Sequence, residues 1–137
     1  MQFFYRPAKD GDENVVMFIQ DPMFLGCWSY VGKQDGVQLI QLSKFASCFT
    51  KRTISHEILH SLGFYHEHSR PDRDKYITIN ESCVQHDSLS NFKIQQSSLT
   101  YGTDYDAKSI LHYKANAASN GNCKTIISKV SMNRSIF

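Results

Sequence analysis

Three histidines and a glutamate in one short stretch have the types and spacing of a metal centre. The stretch is residues 56–66, HEILHSLGFYH. In a helix of about 3.6 residues per turn, His56 and His60 project from one face, where two imidazoles can bind the same Zn²⁺. Gly63 can end this helix because glycine enters left-handed backbone conformations without penalty. The chain can then turn back and offer His66 as a third ligand.

This ligand set predicts a reaction. Three histidines leave one coordination position open, as a catalytic zinc site requires, and zinc lowers the pKa of its water toward about 7. Glu57 lies beside the first ligand, so it can take a proton from that water and pass it to a leaving amine. The pattern predicts amide hydrolysis by one catalytic Zn²⁺. A helix with two solvated histidines and a chance glutamate is disfavoured by the spacing of Gly63 and His66.

The residues before the motif predict short strands. Residues 14–20, NVVMFIQ, are apolar and partly β-branched, which is typical of a strand. Residues 27–31 predict a second short extended segment. Residues 37–42, VQLIQL, alternate between apolar and polar types, which predicts a half-buried strand.

The period then changes to that of a helix. Apolar residues recur at helical spacing from Thr50 to Phe64, with Thr50 as a plausible N-cap and Gly63 as the stop. The remaining segments have weaker patterns: a short helix at 82–92, a loop with one turn at 99–113, and a polar tail from 114 that ends without a clear cap at 135–137. Strands, then a helix, then loops predict an α+β domain.

The amino-acid composition limits the classes of function that the chain can have. The 137 residues suit one domain, with 41% hydrophobic and 20% charged residues. A net charge of +2 gives no footprint for nucleic acid or for an anionic membrane. No apolar run approaches the roughly 20 residues that cross a bilayer. We therefore expect neither partner, and we expect a monomer.

The cysteines leave two readings open. Four cysteines are widely spaced, and none forms a close pair of the kind found in cysteine zinc sites. An even number of such residues suits disulfides in a secreted protein, whereas buried thiols in a cytosolic protein are the alternative. Residues 1–7 lack the pattern of a secretory signal. The metal motif favours secretion.

Beyond the metal motif, several segments resemble the astacin family of zinc metallopeptidases, in the metzincin clan. The third histidine is followed by glutamate, and residues 67–74, EHSRPDRD, are similar to the family's continuation. Residues 27–32, CWSYVG, are similar to a family strand. Residues 109–113, SILHY, are similar to the Met-turn, with Leu111 in place of methionine. The resemblance runs from about residue 3 to residue 127.

The resemblance implies catalytic roles. His56, His60 and His66 are the expected zinc ligands, and Glu57 the expected general base. Tyr113 matches a tyrosine that serves as an extra metal ligand and then, once substrate binds, helps to stabilise the oxyanion. A buried structural aromatic is the alternative for Tyr113.

The resemblance also implies contacts around the cleft. Trp28 and Tyr30 match an edge strand on which a substrate pairs as an added strand. Plain core aromatics are the alternative for both. Cys27 and Cys48 match a family disulfide.

Other positions are expected to be structural. Leu111 replaces a methionine that forms an apolar floor under the ligands, and a swap of similar volume is tolerated. Gly63 makes the turn, and Glu67 matches a glutamate that the family's buried N-terminus contacts through water, a partner absent from this chain. Cys83 and Cys123 lie outside the family's usual cysteines, so either a mutual disulfide or two free thiols is open.

Further polar residues complete the expectations. His68 and His86 are expected at the surface, and His112 in a structural role. An internal ion-pair network is expected from the charged residues after the motif: Arg70, Asp72, Arg73 and Asp74.

The implied fold is a metzincin-type catalytic domain, α+β, with a twisted, mostly antiparallel sheet over the active-site helix. Residues 1–137 are expected to form one partial domain, with 1–66 as the upper part and 67–137 as the lower part that carries the Met-turn. The family domain is longer at both ends, so we expect a truncated chain with an incomplete C-terminal half.

The implied function is a zinc-dependent endopeptidase, secreted, that acts on polypeptides by Glu-assisted attack of zinc-bound water. The alternative is an inactive, truncated zinc-binding or protein-binding module on the same fold. Other metzincin branches are disfavoured by Glu67 together with Tyr113. Thermolysin-like enzymes are disfavoured because their third ligand is a glutamate on a separate helix.

Overall fold

A computed structural model describes residues 6–129. The predicted tail end at 135–137 and the first residues of the family resemblance lie outside this range. The chain divides into two compact units, the first ending at Phe64 and the second beginning at Tyr65. Within the described range, no helix has both the length and the apolar character needed to span a bilayer.

The described part of the first unit contains a three-stranded sheet, followed by a helix. Its strands are β1, Val15–Ile19, β2, Cys27–Ser29, and β3, Val37–Leu42. The order is β1-β3-β2, with β1 parallel and β2 antiparallel to the central β3. All three predicted strands are confirmed, each within two residues of the expected bounds.

The prediction that β3 is half-buried was wrong, because its polar side chains are buried too. Gln41 is fully buried, and Gln38 is 5% exposed. Gln41 receives a hydrogen bond from Asp21 N at 2.9 Å and donates to the Asp21 and Phe24 carbonyls. Gln38 donates to the Gly32 carbonyl at 3.0 Å. The central strand therefore fixes the loops around it through buried amides, which are stable only when paired in this way.

Helix α1 spans Lys51–Ser61. Thr50 is its N-cap, as predicted, and its hydroxyl accepts a hydrogen bond from Thr53 N at 3.1 Å. Ile54 and Ile58 pack against a cluster of buried residues, formed by Ile40 and Leu42 of β3 and by Cys48 of the segment before α1. This apolar contact places the helix against the sheet, as expected for the α+β fold.

Two short strands in the second unit were not predicted. β4, Ile77–Ile79, and β5, Ile126–Ser128, pair in antiparallel fashion. Each has three residues, too few to show a period, and each depends on a partner about fifty positions away. Of the three strand pairings among the described residues, two are antiparallel and one is parallel.

Four 3₁₀ helices fill much of the second unit: Glu67–Ser69, Arg73–Lys75, Glu81–Cys83 and His86–Phe92. The short helix predicted at 82–92 is thus divided between two 3₁₀ segments. The loop predicted at 99–113 contains no regular element, as expected. The core of the unit is a cluster of buried residues: Ile77, Val84, Phe92, Tyr105 and Ile126.

Both pairs of cysteines form disulfides, and the described chain holds no free cysteine. Cys27–Cys48 joins β2 to the segment before α1 and closes 21 positions. Cys83–Cys123 closes 40 positions and joins the segment after β4 to the one before β5. The mutual pairing of Cys83 and Cys123, left open by the sequence, is therefore the observed arrangement.

Replacement of Cys83 and Cys123 by alanine is expected to lower the free energy of unfolding by about 4 kcal/mol. The chain-entropy model gives this value for a closed loop of this length. Urea denaturation of the oxidised wild type and of the double variant measures it. The reduced wild type, which loses both disulfides, should be less stable still. Equal stability of the variant and the oxidised wild type would contradict a constraining role.

Candidate metal centre

His56 and His60 lie one turn apart on α1 and face each other. Their Nε2 atoms are 3.0 Å apart, and the ring planes are perpendicular, with centroids separated by 4.5 Å. Two ligands at 2.0–2.1 Å from one tetrahedral Zn²⁺ are about 3.3 Å apart. The pair thus needs only a small adjustment to hold an ion.

The turn after α1 has the hydrogen bonds of a Schellman motif. Gly63 N donates to the His60 carbonyl at 2.8 Å, and Phe64 N donates to the Leu59 carbonyl at 3.1 Å. Gly63 has φ +99°, the left-handed conformation predicted for it. A Cβ added there would meet Gly32 Cα at an ordinary 3.8 Å, so backbone conformation rather than space requires glycine.

This turn also orients the His60 ring. It brings the Phe64 carbonyl to 2.7 Å from His60 Nδ1. A carbonyl only accepts, so Nδ1 carries the proton and Nε2 keeps its lone pair for a metal. Burial lowers the pKa of His60 below its usual value, which keeps the ring neutral. His60 is therefore held in the tautomer and the charge state of a zinc ligand.

His66 belongs to the same group of possible metal ligands. The ligand atoms of His56, His60 and His66 all lie within 4.8 Å of one another, the one group of this kind among the described residues. Three imidazole nitrogens at this separation are a donor set that suits Zn²⁺. The predicted ligands are thus brought together, and the arrangement fits zinc binding.

Glu57 is buried. It is 4% exposed, and burial raises the pKa of its carboxyl to about 7. A carboxylate with that basicity is suited to exchanging a proton near neutral pH. The sequence placed Glu57 next to the first ligand but did not reveal this burial.

Tyr113 belongs to an aromatic stack. Its ring lies 4.6 Å from that of His66 and 4.1 Å from that of His68, and it contacts Phe92 edge-on at 5.7 Å. The predicted surface position of His68 was wrong, because His68 is fully buried and bonds through Nε2 to the Asn91 carbonyl at 3.0 Å. Sequence spacing gave no sign of this, since the stack forms between segments distant in the chain.

His112 and His86 occupy the expected environments. His112 is buried, and its Nδ1 lies 2.6 Å from the Tyr113 carbonyl, so Nδ1 carries the proton. Its Nε2 accepts a hydrogen bond from the Tyr105 hydroxyl at 2.6 Å. Burial lowers the pKa of His112, so the ring is a neutral bridge, as expected for a structural residue. His86 is exposed. Sequence reasoning missed Tyr105, which lies in a segment predicted only as loop.

Arg70 is the centre of the predicted ion-pair network. Its guanidinium donates to both carboxylate oxygens of Asp72 at 3.0 Å and to Glu67 Oε1 at 3.0 Å. It also donates to the carbonyls of Thr103 and Asp104. Arg70 is 7% exposed, so these bonds are shielded from solvent. The network therefore ties the segment after the third histidine to the loop before the Met-turn.

Arg73 and Asp74 extend the network only partly. Arg73 is buried and donates to the backbone carbonyls of His68 and Phe92, as well as to Asp74 at 2.9 Å. The Asp74 side chain is 63% exposed, so this ion pair is weak.

Glu67 and Leu111 are joined through the backbone. Glu67 N donates to the Leu111 carbonyl at 3.1 Å, and Glu67 Oε1 accepts from Asp106 N at 2.8 Å. Leu111 is 6% exposed, so its side chain is buried. The Glu67 carboxylate thus accepts hydrogen bonds from Arg70 and from Asp106 N.

Trp28 and Tyr30 lie on or just after β2, an edge strand of the described sheet. Their rings contact edge-on with centroids 5.6 Å apart, and Phe24 contacts Trp28 at 6.3 Å. Tyr30 is 51% exposed, whereas Trp28 is half-buried. The exposure of Tyr30 disfavours the alternative that it is simply an aromatic residue of the core.

The α+β fold and the three-histidine group define a metal-binding protein of the metzincin type. The family model for astacin, a family of peptidases, matches residues 2–136. The chain belongs to the astacin family, and this family together with the three histidines fits zinc binding.

Relatives support this assignment. The chain is 38% identical to zinc metalloproteinase nas-14 of Caenorhabditis elegans, over 90% of this chain and 24% of that protein. It is 40% identical to meprin A subunit beta of Rattus norvegicus, over 88% of this chain and 17% of that protein. The solved structure of high choriolytic enzyme 1, a hatching enzyme zinc-protease from Oryzias latipes, matches with a TM-score of 0.81 and 30% identity, over 88% of this chain and 58% of that one. The chain thus spans a quarter or less of the first two relatives and somewhat over half of the solved structure.

Asp72→Asn is expected to flatten the acid limb of the stability profile. The hydrogen bonds from Arg70 hold the pKa of Asp72 below its usual value. The resulting stabilisation is present above the unfolded-state pKa of about 3.9 and is lost as the pH falls through the folded-state pKa. Urea denaturation across this range measures it. The matched control is Asp35→Asn at a fully exposed carboxylate, which should leave the profile unchanged. Identical profiles for wild type and Asp72→Asn would count against the network.

Leu111→Met is expected to leave zinc affinity within about tenfold of wild type. Volume-conserving swaps cost less than about 1.5 kcal/mol, which corresponds to about that factor. Competition with a chromogenic chelator measures the affinity. Leu111→Ala is the control, because a cavity at this buried position should cost about 2–5 kcal/mol of stability. A far tighter or far more active Leu111→Met variant would contradict the tolerance of leucine.

Proposed function

We propose that this chain is the zinc-binding and catalytic part of a metalloendopeptidase that hydrolyses peptide bonds in polypeptides. The observation that carries the proposal is the three-histidine group, His56, His60 and His66, with the buried Glu57 next to the first of them. The names of the relatives, zinc metalloproteinase and hatching enzyme zinc-protease, support the same reaction.

The protein groups divide the work. His56, His60 and His66 would hold Zn²⁺, which would polarise the scissile carbonyl as a Lewis acid and lower the pKa of water. Glu57 accepts the proton of the attacking water and returns it to the leaving amine. Its raised pKa, about 7 without the metal charge, supports this exchange. His60 is kept in its ligand tautomer by the Phe64 carbonyl.

Tyr113 is proposed to stabilise the developing oxyanion with its phenol. Its ring stacks between residues of its own unit and lies 4.6 Å from the ring of His66, so it is held near a proposed ligand. A phenol donor near that position supplies electrostatic stabilisation where negative charge develops.

Substrate is proposed to pair with β2 as an added strand. β2 is an edge strand of the described sheet, and Trp28 and Tyr30 would contact the substrate's side chains. A polypeptide is the proposed partner, with no nucleic acid or membrane, and a monomer is the proposed state.

Residues 1–137 are proposed to form part of one peptidase domain, with 1–66 and 67–137 as its upper and lower parts. The two disulfides support a secreted location, because such bonds persist in oxidising compartments.

Glu57→Gln is expected to bind zinc like wild type and to cleave an unstructured fluorogenic polypeptide at least about 10²-fold more slowly. General acid–base catalysis contributes about 10²–10⁴-fold, and the variant removes only the proton acceptor. His60→Ala is expected to lose both zinc and cleavage. Glu81→Gln, at an exposed glutamate, is the control and should match wild type.

Chelator sensitivity separates the two candidate functions. Cleavage by the zinc-loaded protein that stops with chelator and returns with zinc supports the peptidase. A folded, zinc-loaded chain that cleaves nothing favours the zinc-binding or protein-binding module. Full activity of Glu57→Gln would contradict its role as the base.

A further inference from the structure

Asn80, Glu81 and Ser82 form an Asn-X-Ser triplet, the acceptor pattern for N-linked glycan. We propose that Asn80 is an N-glycosylation site on a turn of the second unit. The triplet lies in the turn that follows β4, with Glu81 and Ser82 exposed and Asn80 half-exposed. A glycan needs such a position, because it is bulky and strongly hydrated.

The Asn80 side chain is oriented from both of its ends. Ser82 Oγ donates to Asn80 Oδ1 at 2.7 Å, so the triplet's hydroxyl already contacts its amide. Asn80 Nδ2 donates one hydrogen to Cys83 Sγ at 3.0 Å. A primary amide has two N–H groups, so the bond to sulfur uses only one of them. A sugar on Nδ2 replaces one hydrogen, and the other hydrogen and Oδ1 remain available for hydrogen bonds.

The backbone of the triplet is also fixed. Asn80 N donates to the Thr125 carbonyl at 2.9 Å, and Cys83 N closes the turn on the Asn80 carbonyl at 3.0 Å. Asn120 Nδ2 donates to the Ser82 carbonyl at 2.8 Å. The Cys83–Cys123 disulfide pins the same turn. The glycan is thus anchored on a rigid corner of the second unit.

The reaction requires a sugar donor in an oxidising compartment, where this disulfide also forms. Asn80 Nδ2 bonds to the anomeric carbon of an oligosaccharide carried on a lipid pyrophosphate. The bond from that carbon to the phosphate oxygen breaks, the lipid pyrophosphate leaves with the electron pair, and one Nδ2 proton passes to a base of the transferase. No oxidation is involved. The inference rests on the proposed secretion of the chain but not on its peptidase activity.

A second triplet in the sequence, Asn133-Arg134-Ser135, lies outside the described residues. The test therefore uses the full chain with Asn133→Gln, behind a cleavable secretion signal and with an appended Asn-Gly-Thr tag, in eukaryotic cells. A glycan on the tag shows that a molecule was exposed to the transferase, and only such molecules are included in the measurement. The glycan is then released with an amidase that cleaves the bond between sugar and asparagine and converts that asparagine to aspartate. Peptide mass spectrometry before and after release shows whether residue 80 carried a glycan.

The expected result is a sugar on the Asn80 peptide, lost in Ser82→Ala and retained in the matched Ser82→Thr. Asn80→Gln should remove the same mass shift. If Asn80→Gln misfolds, the comparison of Ser82→Ala with Ser82→Thr still tests the proposal, because neither change alters the Asn80 side chain. An unmodified Asn80 peptide in tag-modified protein overturns the proposal, and so does a sugar that persists in Ser82→Ala. Polypeptide cleavage by the same samples is a separate readout, so its failure does not bear on the glycan.

Discussion

The two hydrogen bonds that close the turn after α1 are the constraint on which the metal centre depends. Gly63 N and Phe64 N donate to the carbonyls of His60 and Leu59, which is possible only with Gly63 in the left-handed conformation. The turn satisfies carbonyls that the end of a helix leaves without intrahelical partners. It also brings the Phe64 carbonyl to His60 Nδ1, so one backbone motif ends the helix and sets the tautomer of a proposed ligand.

The first unit supports this turn from its other side. Gly32 N donates to the His60 carbonyl at 2.8 Å, and the Gly32 carbonyl accepts from the buried Gln38. The end of the helix is thus bonded to the loop after β2, which is in turn bonded to the central strand. The buried amide of Gln38 in β3 therefore helps to position His60, a proposed zinc ligand, through its hydrogen bond to Gly32.

The second unit has little regular structure, and charge and aromatic contacts replace it. Arg70 holds Glu67, Asp72 and two carbonyls of a distant loop, and these charge-assisted bonds are shielded from solvent. The rings of His68 and Tyr113 stack at 4.1 Å. A segment of 3₁₀ turns has few backbone bonds of its own, so side chains fix its path. This explains why so many of its polar residues are buried.

The sequence by itself determined the local features: the helix with its Thr50 cap, the glycine stop, the spacing of His56 and His60, and the three strands of the first unit. Each of these depends on residues within one or two turns of chain, where period and capping chemistry act. The identities of the proposed ligands followed from the same spacing.

Only the tertiary structure decided the burial of Glu57, Gln41 and His68, the Cys83–Cys123 pairing and the β4–β5 ribbon. These features join segments far apart in the chain. Local periodicity carries no information about such partners, and the pKa of Glu57 depends on how much water the fold excludes around it. His68 was therefore misplaced by reasoning from its neighbours, whereas His60 was placed correctly.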